Sequence, residues 1–167
     1  MKRAISVDEN CEAAKSLLGQ IMDTSDQLRN SALSLSIQDR IQEALNKMTG
    51  AIIMNPIEAE YNLQRGILYK RLQDFNSAID DFLLGLDKMN HDEVAKPELF
   101  KAFQRHILLT YNDFAIVCFK KMLYDDAITL LDKAIKLEKN EKGFYVNRGD
   151  CFYKKNEVVF SVLVSVN

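Results

Sequence analysis

The stretch RGILYKRLQDFNSAIDDFLLGL (65–86) returns in altered form as FAIVCFKKMLYDDAITLLDKAI (114–135). Each holds an aromatic residue, two small or acidic residues and then Ala-Ile: Phe75, Ala78 and Ile79 in the first, Tyr124, Ala127 and Ile128 in the second. A third stretch, NRGDCFYKKNE (147–157), repeats Arg65-Gly66 and the aromatic Tyr69. The spacing fits a period of about 34 residues, the mark of a chain built from stacked supersecondary units. Units 25–58, 59–92 and 108–141, and one beginning at Lys142, fall into phase with a single insertion at 93–107. No other feature of the chain limits its fold so strongly.

The residue types explain why such a unit folds. Each unit reads as two antiparallel helices. Its eighth and twentieth positions face each other where the helices cross, and only Gly, Ala or Ser lets the backbones approach. The pairs are Ala32 and Ala44, Gly66 and Ala78, Ala115 and Ala127, and Gly149 and Ser161. Larger residues at positions 11, 17 and 24 fill the space beside the crossing: Leu35, Ile41 and Met48; Tyr69, Phe75 and Phe82; Cys118, Tyr124 and Leu131. Pro56 lies where a second helix must end, since proline cannot continue one. Gly85, at position 27, weakens its helix by about 1 kcal/mol relative to Ala.

Over residues 25–157 the pattern resembles the tetratricopeptide repeat family, most strongly in RGILYKRLQDFNSAIDDF. Gly85 and Cys118 depart from the usual Ala and aromatic of that family. The resemblance implies an all-α fold, a short right-handed solenoid of antiparallel helix pairs. It also implies a concave groove lined by first helices. Two strings, LLTYNDFAIVCF (108–119) and EKGFYVNRGDCF (141–152), resemble a narrower orphan branch associated with ciliated cells. That likeness implies a cilium-associated setting.

The remaining segments are read around this frame. Residues 1–24 form an N-terminal helical segment with an apolar stripe at Ala13, Leu17, Ile21 and Met22. This segment either ends a preceding unit or runs on into 25–37 as one long helix. In the insertion, Pro97 suits a first helical turn. Leu99, Phe103, Ile107, Tyr111, Phe114 and Cys118 then recur every three or four residues. One helix from Pro97 to Lys121 is expected, about 37 Å long. Its extra turns either project toward a partner or pack Leu99 and Phe103 away, and packing is the cheaper outcome. The fourth unit, 142–157, is partial. Beyond it, 158–167 is an apolar, β-branched tail that suits a strand better than a helix. It reads as a truncated or alternative end, against a short helix docked on Phe152 and Tyr153.

Chemistry is thinly represented. Apolar residues make up 47% and charged residues 28% of 167, and the net charge is −2. This is a globular balance with no footprint for nucleic acid or an anionic membrane. The longest apolar run, Val158 to Val166, is under half the roughly 20 residues a membrane helix needs. Cys11, Cys118 and Cys151 are scattered and read as core residues of a reducing, cytoplasmic compartment. His91 and His106 lack ligand spacing, so no metal is expected, and no phosphate loop or cofactor motif occurs. Asp80-Asp81 and Asp125-Asp126 resemble carboxylate pairs for acid–base work. Adjacent helical residues do not share a face, so all four are expected to be solvated or capping. Arg148-Gly149-Asp150, the adhesion tripeptide, falls inside a helix. No enzyme is expected; one would need a charged cluster, and only Asp113, Asp150 and Lys120 are available.

What is left is a surface for a protein or peptide partner. The family's groove positions carry Leu63, Ile67 and Lys70 in one unit and Leu109, Asn112, Ile116, Phe119 and Lys120 in another. Relatives that hold chaperone C-termini clamp a carboxylate with Lys, Asn and Arg. The matching places here hold Arg29, Leu33, Gln64, Leu109 and Asp113, which disfavours such a tail. The expected function is a non-catalytic scaffold that binds an apolar peptide or helix in the groove. The alternative is a structural element of a larger ciliary or filament assembly, with the stripe covered by neighbouring repeats.

Overall fold

A computed structural model describes residues 12–89 and 96–165, with side chains to Val158. Seven helices occupy the described residues: α1 (Glu12–Ile37), α2 (Ile41–Met54), α3 (Ala59–Arg71), α4 (Phe75–Lys88), α5 (Pro97–Lys120), α6 (Tyr124–Leu137) and α7 (Lys142–Ser165). There is no strand among them. The helices gather into two compact groups that divide within α5, at residues 100 and 101. His91, part of the insertion (93–95) and the N-terminal residues up to Cys11 lie outside the described residues.

In the first group α1 packs on α2, α2 on α3 and α3 on α4. The crossing residues Ala32, Ala44 and Ala78 are fully buried. Beside them Met48 and Phe82, both at position 24, are also fully buried. At Gly66 a Cβ would stand 2.4 Å from Phe82 Cε1, so glycine is required for α4 to lie this close to α3. The second group repeats the arrangement. Ala115, Ala127 and Leu131 have at most 1% of their surface exposed, and they share a core with Cys118, Phe144 and Cys151.

Three turns join first and second helices, and they are alike. Asp39, Gln73 and Met122 take left-handed φ values of 61°, 60° and 62°. All three occupy position 15 of their units. The next residue's N–H reaches back five residues: Arg40 to Leu35 O at 3.0 Å, Asp74 to Tyr69 O at 3.0 Å, Leu123 to Cys118 O at 2.9 Å. This is the helix-ending motif in which a left-handed residue lets two amides satisfy the last carbonyls. It usually employs glycine. Here each position bears a side chain and the tertiary packing bears the conformational cost, about 1–2 kcal/mol each. Asp74 also caps α4 by accepting the Ser77 N–H at 3.2 Å.

Two expectations fail. Asp81 is not solvated: it is 4% exposed and grips Arg65 with both oxygens, at 2.7 Å each. Asn62 donates to the same carboxylate at 3.0 Å, and Lys88 Nζ donates to Asn62 Oδ1 at 2.6 Å. The carboxylate faces back toward α3, while Asp80, its neighbour on the helix, faces solvent. The hydrogen bonds to Asp81 raise the Arg65 pKa. Lys88 is pushed down, first by burial and then by the Arg65 charge. The second failure is in α7. Its backbone stays helical to Ser165 through Lys155-Asn156-Glu157, where the other units turn. No Gly or Pro interrupts it after Gly149. β-branched residues cost only a few tenths of a kcal/mol each in a helix, and Lys154 pairs with Glu157 one turn on, at 2.7 Å. The side chains of 159–166 lie outside the described residues.

The insertion forms the N-terminal half of α5, with Phe103 fully buried and Ile107 4% exposed. It is not a bare apolar projection. Glycine at the crossing gives a prediction of opposite signs. Gly66→Ala should destabilise the fold by about 1–3 kcal/mol, because Phe82 cannot give way without repacking. Gly149→Ala should stabilise it by about 0.5–1 kcal/mol, because nothing among the described residues lies within 4 Å and alanine favours the helix. Urea denaturation of dilute protein distinguishes them. Asp81→Asn should cost about 2–4 kcal/mol by the same measurement, since Arg65 keeps its charge and loses its partner.

Candidate functional site

Among the described residues the best-formed concavity lies in the second group, between α5, α6 and α7. It encloses about 290 Å³ and is lined by Ala115, Ile116, Phe119, Lys120, Leu131, Asn147, Asp150 and Cys151. Its floor is apolar: Ala115, Leu131 and Cys151 each have 1% of their surface exposed. Small residues at the helix crossing leave this room. On α5, Ile116 and Lys120 are one turn apart, and Phe119 stands beside them. The Phe119 ring is held edge-on by Tyr124, with centroids 5.5 Å apart.

Polar groups stand at the rim. Asn147 Nδ2 donates to Asn112 Oδ1 at 2.8 Å, bridging α7 and α5. That bond uses one amide hydrogen of Asn147 and the side-chain carbonyl of Asn112. Lys120 and Asp150 are exposed, and neither forms an ion pair among the described residues. The neighbouring Arg148 is engaged with Asp132 at 2.7 Å and lies over the Tyr145 ring. It is therefore held inside a helix, in no position to serve as an adhesion loop.

The two thiols near the cavity are held protonated. Burial pushes the Cys151 thiol up, and the Asp150 charge adds to that effect. Cys118 is raised by burial in the same way. A thiol held protonated is a poor nucleophile. No cluster of three His, Cys, Asp or Glu capable of holding a metal occurs among the described residues. No described helix is long and apolar enough to cross a membrane.

The groove residues expected from the sequence are partly brought together. Ile116, Phe119 and Lys120 share the cavity, and Asn112 is tied to its rim through Asn147. Leu109 is 38% exposed, toward the start of the repeat portion of α5. Leu63, Ile67 and Lys70 lie on α3 in the other group. Leu63 is only 9% exposed and belongs to the core there, while Ile67 and Lys70 are half-buried. Sequence reasoning missed the floor, since Ala115, Leu131 and Cys151 read only as packing residues. It also missed the paired asparagines, whose one visible signal is their spacing of 35 residues, near the repeat length.

Other bonds recur with the same spacing. Tyr61 OH donates to Asp26 at 2.8 Å, and Arg71 reaches Ser36 O at 2.8 Å. Arg65 and Arg148 hold the same position in their units and both reach position 25 of the unit before, at Thr49 and Asp132. Helical pairs repeated in this register, with a small-residue crossing and a common left-handed turn, make an all-α, tetratricopeptide-like fold. The chain is 40% identical over 148 residues to tetratricopeptide repeat protein 16 of Macaca fascicularis, 89% of this chain and 17% of that protein. It is 39% identical over 148 residues to the protein of that name from Homo sapiens. The protein of that name from Mus musculus is 38% identical over 161 residues, 96% of this chain and 21% of its own length. The chain thus spans about a fifth of the curated relatives it matches. No family model matches the sequence.

Among solved structures, the Arabidopsis OM64 tetratricopeptide repeat domain aligns with 80% of this chain and 98% of its own, at 17% identity and TM-score 0.48. The first such domain of Spaghetti (RPAP3), bound to an HSP90 peptide, aligns with 80% of this chain and 94% of its own, at 16% identity and TM-score 0.47. The buried thiols of the repeats provide a check on the site. Cys118 and Cys151 should resist alkylation in the folded protein and react at once in denaturant, as mass spectrometry of the modified peptides would show. Rapid native labelling of both would mean that the floor of the cavity is open to solvent.

Proposed function

We propose that this chain is a non-catalytic protein–protein interaction scaffold, and that the cavity between α5, α6 and α7 takes an apolar anchor of a peptide or helix. The supporting observation is the cavity itself: about 290 Å³, apolar at its floor and polar only at its rim. That is room for one large apolar side chain, the kind of anchor that carries most of an interface's affinity. Lys120 and Asp150 then select for charges on either side of the anchor. An acidic C-terminal tail is a poor fit. Arg29, the one cation at the clamp positions, already lies 3.6 Å from Asp26 and 4.0 Å from Glu60.

The setting we propose is cytoplasmic and ciliary, on the likeness of LLTYNDFAIVCF and EKGFYVNRGDCF to tetratricopeptide repeat protein 16. The test is selection from a displayed random-peptide library, followed by titration of the selected peptides. Peptides with a Leu, Phe or Trp anchor should bind. Ile116→Asp, at a rim residue 37% exposed, should weaken them about tenfold or more with helicity unchanged. Peptides that bind both proteins equally, or a library that yields none, would remove the cavity as a ligand site. The second outcome would favour a structural element with no exchangeable ligand.

A further inference from the structure

The cavity between α5, α6 and α7 carries opposite charges on two of its walls. Lys120 stands on α5 and Asp150 on α7, both exposed, and neither has an ion-pair partner among the described residues. Other charges of α7 are committed. Arg148 is bound to Asp132 at 2.7 Å, Lys154 to Glu157 at 2.7 Å, and Lys155 to Asp125. The repeat register sets the two cavity charges apart as well. Position 9 of the unit carries Leu33, Ile67 and Ile116 before it carries Asp150. Position 13 carries Lys120 here and Arg71 in the first group. There Arg71 is engaged by Ser36 O at 2.8 Å and Asp39 at 2.9 Å. The first group thus has an apolar residue at one of these places and an occupied cation at the other.

The two walls restrict what can satisfy both charges at once. Helices α5 and α7 open successive units and run alike. Position 13 lies one turn beyond position 9, about 6 Å along the axis. Packed helices stand about 8–10 Å apart. The backbone positions that carry Lys120 and Asp150 are therefore on the order of 10 Å apart. In an extended segment, residues two before and two after an anchor point the same way as the anchor, and they span about 13 Å. An acid and a base at those places reach both walls while the anchor enters the cavity. A segment with the same sign on both sides satisfies one wall and is repelled by the other. Uncharged flanks leave both wall charges without a partner.

We propose that the partner is an extended peptide segment whose apolar anchor is flanked, two residues away on either side, by one acid and one base. The acid meets Lys120 and the base meets Asp150. This rests on the anchor site proposed above and adds the charge order of its ligand. The test is NMR titration of the full chain with capped peptides built on one Leu anchor. Their flanks are mixed, both acidic, both basic or both neutral, and the neutral peptide reports the anchor alone. Mixed flanks should bind about three- to tenfold tighter than either like-charged pair. Salt at about 1 M should bring the peptides together, since it screens exposed charges. Lys120→Glu should move the preference to two basic flanks, and Asp150→Lys to two acidic ones. Binding of the neutral peptide with no preference for mixed flanks overturns this inference and leaves the anchor site standing. So does a preference that neither substitution moves. Failure of every peptide to bind removes the anchor site and this inference together.

Discussion

The close crossing of paired helices is the constraint from which the rest follows. At Gly66 the Phe82 ring of the paired helix lies so near that no Cβ fits. That approach fixes how the larger side chains must pack. Met48, Phe82 and Leu131 hold one position of three units and are each at most 1% exposed. Their burial supplies most of what a short helix cannot obtain from its own hydrogen bonds. The same approach dictates the turn, because two antiparallel helices this close leave only three residues to reverse the chain. A left-handed residue is the economical way to do it, even where the sequence supplies Asp39, Gln73 or Met122 instead of glycine.

Polar contacts follow the same register. Within each group, repeats touch through equivalent positions, so side chains about 35 residues apart meet repeatedly. Tyr61 with Asp26 and Arg71 with Ser36 do so in the first group, Asn147 with Asn112 in the second. The arginine before each crossing glycine has a further role. Arg65 answers the buried Asp81 in its own unit and reaches Thr49 in the preceding one. Arg148 answers Asp132 of the preceding unit instead. The position persists while its partner changes, because either carboxylate lies within reach of the long side chain.

The cavity arises from the same economy. Small residues at the crossing let helices approach, and where no large neighbour fills the space beside them, room is left. Between α5 and α7 that room has an apolar floor and a polar rim. On the far side of α7, Tyr145, Val146, Phe152 and Tyr153 are exposed among the described residues. The amphipathic pattern of α7 is accordingly blurred, with apolar residues on both sides of the helix.

The period, the helix pairing and the small residues at the crossing could all be read from the chain alone, because they are local and they repeat. The long helix beginning at Pro97 was legible for the same reason, and Ile116, Phe119 and Lys120, which share a stretch of that helix, line one cavity. Other features had no local signature. Asp80 and Asp81 look alike in sequence, and only the direction of α4 against α3 sends one to solvent and the other to Arg65. The tail after Glu157 has the composition of a strand, yet with no breaker and no strand to pair with, its backbone continues the helix. Leu63 fits a groove position, but packing in the first group buries it. Sequence determines what recurs along the helix, since side-chain spacing and backbone freedom are properties of neighbouring residues. Tertiary structure decides which faces are covered, because burial depends on segments far apart in the chain.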